Sequence, residues 1–401
     1  MRRFRHILLP IIVLGFAALG VLAAIYFSAE PDTPEAITIG EAIRIDSAAL
    51  GDARTVMVSL PRGYERSRTR YPVLYLLDAD IHFHHATASV QFLARSGFIP
   101  QMLVVSPQTA DRVRDFAPRV RRSGDDGPDT RNYGADWFLR FISEELIPYV
   151  DQNYRVDPYR VLAGNALGGT FSVYAMLTQP ELFDAFIVTS PFLHWDNDLV
   201  TRVAGDTFDG LEQLDSFLFL AHEDVEGGRL TAIQRFVELL QNSAPRGLNW
   251  SFQQLANETS VSTAHRGLYM GLETLYAHWR IPNGLMDQGV DALEGHFTNL
   301  SREFGYDIEI PEYTLNALGY RLLNRDRIDQ AIAVFQRNVQ TYPDACNVYD
   351  SLGEAYLVNR DYDRAEANYK KALEMNPDFE NPVIMLERIK RRRIEEARRT
   401  D

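Results

Sequence analysis

The stretch Arg160-Val-Leu-Ala-Gly-Asn-Ala-Leu-Gly-Gly-Thr170 constrains the fold more than any other. Val161, Leu162 and Ala163 make a short apolar run suited to a buried strand, and Thr170 to Leu177 reads as an amphipathic helix. Gly164 and Gly168 flank the junction, where a Cβ would collide with the neighbouring strand or helix. The pattern predicts strand, tight turn and helix in immediate succession, with residue 166 lifted above the sheet. That residue is Ala166, and a methyl group has no lone pair with which to attack a carbonyl.

A chain of 401 residues has room for a domain of about 250 residues and a smaller one. The formal net charge of −14 argues against a nucleic-acid footprint and for an acidic surface. The single cysteine, Cys346, rules out an internal disulfide and a cysteine-based metal site. Arg2, Arg3 and Arg5 precede an uncharged run from Ile7 to about Ser28, long enough to cross a bilayer at roughly 20 residues. The run exceeds the apolar core of a signal peptide, about 7–15 residues, and no small-x-small site follows it. It reads as a transmembrane helix with the arginines in the cytoplasm and the body extracytoplasmic, which is the periplasm of a Gram-negative cell. Residues 1–35 thus comprise stub, anchor and a polar tether carrying Pro31, Asp32, Pro34 and Glu35.

Residues 36–282 alternate short apolar strands with amphipathic helices, which predicts an α/β domain with a doubly wound, mostly parallel sheet. Arg54 to Leu60 alternates with period two and ends at Pro61, an edge-strand pattern. Tyr71 to Leu77 and Gln101 to Val105 are continuous apolar runs, as in strands buried on both faces. Further strands are expected at 161–163, 185–189, 216–221 and 250–255, with a helix at 137–149 and a last one from Leu268 to Trp279. Tyr71-Pro-Val-Leu-Tyr-Leu-Leu-Asp78, Asp111-Arg-Val-Arg-Asp115, Glu144-Glu-Leu-Ile-Pro-Tyr149 and Tyr154-Arg-Val-Asp-Pro-Tyr-Arg160 lead to the glycine turn. Pro180-Glu-Leu-Phe-Asp-Ala-Phe-Ile187 and Ser190-Pro191 follow it. On this ordered series, residues 41–280 resemble the esterase D and enterochelin esterase family of α/β-hydrolases.

The resemblance implies a G-x-S-x-G nucleophile elbow at 164–168, in which Ala166 stands for the serine. It implies an oxyanion hole from the backbone N–H groups of Leu167 and Ala79, and a triad in the order nucleophile, acid, histidine. Glu223 and Asp224 sit where the acid belongs, with Glu226 a weaker third. Anchored without a gap at Glu258-Thr259 and Tyr269-Met-Gly-Leu272, the family's histidine falls on Ser260. His265 lies five residues later and reads as a surface residue where the last helix begins. Losing the nucleophile or the base alone costs a serine protease about six orders of magnitude in turnover. The expectation is therefore an inactive homologue that binds an ester- or carboxylate-like ligand or a protein. The alternative is an active serine-type carboxylic ester hydrolase with an atypical nucleophile or a repositioned His265. Ser172, Ser190 and Ser262 lack an elbow and are not promoted to that role.

His82-Phe-His-His85, near Asp78 and Asp80, resembles a metal cluster. In an extended segment only His82 and His84 share a face, and no further His or Cys stands at ligand spacing. These residues are read as cleft lining, with no metal and no cofactor expected. Arg112, Arg114, Arg119, Arg121 and Arg122, with Asp115, form a basic loop read as a solvated face.

A bridging segment, 283–311, is expected to hold a helix from about Met286 to Phe304. Beyond it, Leu318-Gly319, Ala331, Phe335 and Pro343 recur 34 residues later as Leu352-Gly353, Ala365, Tyr369 and Pro377. That is the tetratricopeptide spacing, so residues 312–401 predict an all-α domain of two helix-turn-helix units and a basic capping helix, Asn381 to Arg399. Two units are fewer than the three or so that stand alone, which implies docking on the first domain. Tyr313, Asn316, Tyr320, Asn347, Asp350 and Glu354 are expected on the concave face, as contacts for a protein or peptide partner.

Overall fold

The computed structural model describes residues 37–109, 111–118 and 134–400. The expected anchor and Arg119, Arg121 and Arg122 lie outside them. Among the described residues no helix is long and apolar enough to cross a membrane.

One eight-stranded sheet carries the first domain. Its strands are β1 (Glu41–Ser47), β2 (Asp52–Ser59), β3 (Tyr71–Leu76), β4 (Leu103–Pro107), β5 (Val156–Asn165), β6 (Ala185–Thr189), β7 (Gln213–Glu223) and β8 (Arg246–Leu255). Their order is β1-β2-β4-β3-β5-β6-β7-β8. The β1–β2 and β2–β4 pairs are antiparallel, and every other pair is parallel. The edge assignment of β2 is corrected: β1, half exposed and without a long apolar run, pairs along its outer side. The central strands are buried on both faces, as their continuous apolar runs predict.

Helices alternate with the strands. They are α1 (Ala79–Arg95), α2 (Arg112–Phe116), α3 (Ala135–Phe141), α4 (Ile147–Asn153), α5 (Leu167–Thr178), α6 (Leu199–Gly210), α7 (Gly227–Ser243) and α8 (Ser260–Leu275). A π-turn, Ile142–Leu146, joins α3 to α4. The last helix begins eight residues earlier than its apolar pattern suggests, because Thr259 and Ser262 form a capping box. A second correction concerns His82 to His85. They lie on α1, not on extended chain, so His82 and His85 share a face and His84 is exposed.

The bridging segment is a 3-10 turn, Leu285–Gln288, followed by α9 (Val290–Phe304). Phe304 packs against Tyr159 at 5.2 Å and Tyr276 at 5.0 Å between ring centroids, with Trp279 at 6.3 Å. This aromatic seam joins α9 to the sheet domain. The repeat helices are α10 (Glu312–Leu323), α11 (Ile328–Thr341), α12 (Cys346–Val358) and α13 (Tyr362–Met375), closed by α14 (Glu380–Thr400). Ion pairs tie them to the bridge: Arg325 to Asp287 at 2.6 Å and Arg337 to Glu294 at 2.7 Å. Arg68 reaches Asp344 at 2.9 Å, so the repeats dock as expected.

Within each repeat a glycine lets the paired helices approach. A Cβ at Gly319 would drive into the buried Phe335 ring, whereas one at Gly353 would lie 3.0 Å from Tyr369. Gly319→Ala should therefore destabilise the protein by about 1–3 kcal/mol through overpacking. Gly353→Ala should cost less, and urea melts of the two variants would expose a reversed order.

Candidate functional site at the elbow

The turn predicted at 164–168 is present. Ala166 has φ 53° and ψ −117°, a conformation that costs an L residue on the order of 1–3 kcal/mol. Its N–H donates to the Thr189 carbonyl at 2.9 Å, and its own carbonyl accepts from the Thr170 N–H at 3.0 Å. A Cβ at Gly164 would run into the Gly168 backbone. The geometry that holds a nucleophile is thus kept, with a methyl at its apex.

Asp78 ends β3 in the left-handed region and caps α1. Its Oδ2 lies 3.3 Å from where a Gly168 Cβ would be, so the carboxylate rests on the first turn of α5. Arg112 Nη2 stands 3.0 Å from that oxygen and donates to the Asn165 carbonyl at 3.0 Å. Arg112, read as solvated from its neighbours, is in fact a brace of the site. Burial pushes the Asp78 carboxyl up to about 6, with Arg112 opposing. Ala79 and Leu167 are the first residues of α1 and α5, where N–H groups have no acceptor within their own helix. Asp80 is exposed and accepts from Gln108 Nε2, away from the apex.

The two acid candidates separate cleanly. Glu223 is buried; it accepts from Ser190 Oγ at 2.5 Å and Arg229 Nη2 at 2.9 Å. Asp224, one residue on, accepts from the Asn257 N–H at 3.0 Å and Gln254 Nε2 at 2.9 Å. The Asn257 N–H holds its carboxyl below the usual range, and the Gln254 amide adds to this. Asp224 ties down the loop between β8 and α8.

Ser260 opens α8, and its carbonyl accepts from the Asn165 side-chain amide at 3.2 Å. The backbone of residue 260 therefore lies beside Asn165, the residue before Ala166. His265 lies more than a turn further along α8, and its ring stacks on His85 with centroids 4.8 Å apart and planes 11° apart. His85 in turn shares a 3.0 Å hydrogen bond with His82. Helical i, i+3 spacing was the signal that pairs His82 with His85, and reading the segment as extended hid it.

In the repeats, Tyr313 is exposed. Tyr320 Oη donates to Glu354 at 2.9 Å, and Asn347 Nδ2 donates to Glu312 at 2.9 Å. Asp350 is buried with both oxygens on Asn381 of α14 at 2.9 Å, which removes it from the surface available to a partner. Asn316 is half-buried.

Residues 47–219 match the sequence family described as "Putative esterase", and residues 351–379 match the tetratricopeptide repeat. The chain is 34% identical over 148 residues to the ferri-bacillibactin esterase BesA of Bacillus subtilis, covering 33% of this chain and 51% of that protein. It is 31% identical over 158 residues to the siderophore triacetylfusarinine C esterase of Aspergillus fumigatus, covering 37% and 54%. It spans about half the length of these curated relatives. Among solved structures, an IroE-like serine hydrolase of Shewanella oneidensis superposes with a TM-score of 0.65 at 26% identity, covering 74% of this chain and 99% of that one. Residues 47–219 are thus similar to the esterase family and to siderophore esterases within it, and residues 351–379 to the tetratricopeptide repeat.

Proposed function

We propose that this protein is a catalytically silent esterase homologue that binds a small ester- or carboxylate-like ligand at the elbow and a protein partner through its repeats. The observation that carries the reading is Ala166, which occupies the strained apex with no nucleophilic atom. Ser260 beside it supplies no imidazole. The alternative is an active hydrolase with another nucleophile or with His265 as base, and the contacts of those groups favour the silent reading over it. Ser172 Oγ donates to the Gly168 carbonyl, Ser190 is buried on Glu223, and Ser262 belongs to the α8 cap. His265 is engaged in its stack with His85.

Siderophore esters are the natural first ligand class to try, because the relatives act on them. The run from Ile7 to Ser28 would anchor the body outside the cytoplasm, on its composition. Purified protein should turn over neither p-nitrophenyl acetate nor p-nitrophenyl butyrate above the buffer rate. Turnover that disappears in His265→Ala would overturn the silent reading and establish the hydrolase.

A further inference from the structure

The histidines that the triad leaves unused sit at a boundary between two empty spaces. An outer cleft of about 520 Å³ opens between α1 and α8, lined by Ile81, Glu258, Val261, His265 and Arg266, with His82 and His85 at its floor. An inner cavity of about 10 Å³, room for one water, lies beneath the elbow against Gly164, Asn165 and Thr189. His82 and His85 line both. They thus face both spaces, and His265 stacks on His85 from α8.

We propose that His82, His85 and His265 form a proton-operated partition, closed while neutral and parted in acid, that connects the outer cleft with the cavity beneath the elbow. The closed arrangement depends on neutral rings. His82 Nδ1 and His85 Nε2 share one proton across 3.0 Å, so protonating both rings removes the acceptor. His85 Nδ1 is buried without a partner, and an imidazolium there would carry an N–H with nothing to receive it. Two stacked imidazoliums at His85 and His265 would repel at close range.

The charges around the cluster do not relieve this. Arg112 stands on the His82 side, with Asp78 already paired to it. Glu258 is held by Arg266 at 2.8 Å, and Asp80 is turned to Gln108. His84 is exposed on the next face of α1 and adds only positive charge when protonated. Burial, with His85 and Arg112, pushes His82 down to about 4. Burial, with His265 and His84, does the same for His85.

Parted, both rings would titrate near the ordinary value of about 6.5. The parted form then binds more protons than the closed one between about pH 6.5 and pH 4. Each of the two histidines therefore favours parting by up to about tenfold per pH unit of descent through that window. The closed form is favoured fully above it.

Hydrogen exchange of the full chain at pH 7 and pH 5, corrected for intrinsic rates, reads this directly. Protection of 79–95 and 260–275 should fall at least about tenfold relative to β5–β7 on acidification. His85→Gln with His265→Gln should shrink that difference severalfold, leaving only the contribution of His82. Equal protection at both pH values in the wild type, or an unchanged difference in the variant, would overturn the proposal. Should the double variant not fold, proton NMR titration of the wild-type imidazoles decides. His82 and His85 titrating below about pH 5.5 sustains the partition, and either titrating at or above that point removes it.

Discussion

Ala166→Ser combined with Ser260→His should raise hydrolysis of p-nitrophenyl butyrate by at least about a hundredfold over either single change. The asymmetry follows from how triads work. In a serine protease, deleting nucleophile or base alone costs nearly as much as deleting the whole triad, so restoring one member alone should return almost nothing. On the proposed reading, the scaffold around the two substituted positions is retained. The apex keeps its φ of 53°, residue 260 lies beside Asn165, and Asp224 holds the loop that presents residue 260. Leu167 and Ala79 are the first residues of their helices, and on the proposed reading their N–H groups would bind the oxyanion. The measurement is kcat/KM for the wild type, both single variants and the double variant, with fluorophosphonate labelling to count reactive serines. A folded double variant that takes no label would show that residue 260 does not address the apex.

Asp115→Ala should be the most destabilising single substitution proposed, at about 3–5 kcal/mol. Arg54 on β2 and Asp115 on α2 are both buried and joined by two parallel hydrogen bonds of 2.7 and 2.8 Å. Removing the carboxylate leaves a buried guanidinium with the half-exposed Asp52 at 2.8 Å as its remaining ion-pair partner and a long 3.5 Å bond to the Gln108 carbonyl. That is the costly case, an uncompensated charge away from water, and it should lower Tm by on the order of 10 °C in a domain of this size. The comparison variant is Arg393→Ala, which breaks exposed pairs to Asp363 and Glu366 and should cost less than about 1 kcal/mol. Thermal and urea melts of the two separate the cases; a cost below 1 kcal/mol for Asp115→Ala would mean Arg54 finds water or another partner.

What could be read from the sequence was what local sterics encode. Gly164 and Gly168 mark the elbow because a Cβ at Gly164 runs into backbone and one at Gly168 crowds the Asp78 carboxylate. Gly319 and Phe335 mark the repeat for the same reason. What escaped depends on partners distant in the chain. The backbone carbonyl of residue 260 meets Asn165, a contact that sequence spacing does not encode. β1 is an exposed strand whose place is set by pairing with β2, and nothing in its own residues demands it. Arg112 looks like one of several loop arginines until Asp78, 34 residues away by sequence, comes to meet it. Glu223 and Asp224 are neighbours with opposite fates, because successive strand-end side chains point to different sides.

The seam of Tyr159, Tyr276, Trp279 and Phe304 has a consequence for cooperativity. A pair of repeats has too few internal interfaces to be an independent solenoid. Bridged by α9 and the seam's rings, the pair uses the sheet domain as the neighbour it lacks. The repeats are thereby a thermodynamic extension of that domain, and damage to the sheet will be felt at their helices before any surface of theirs is touched.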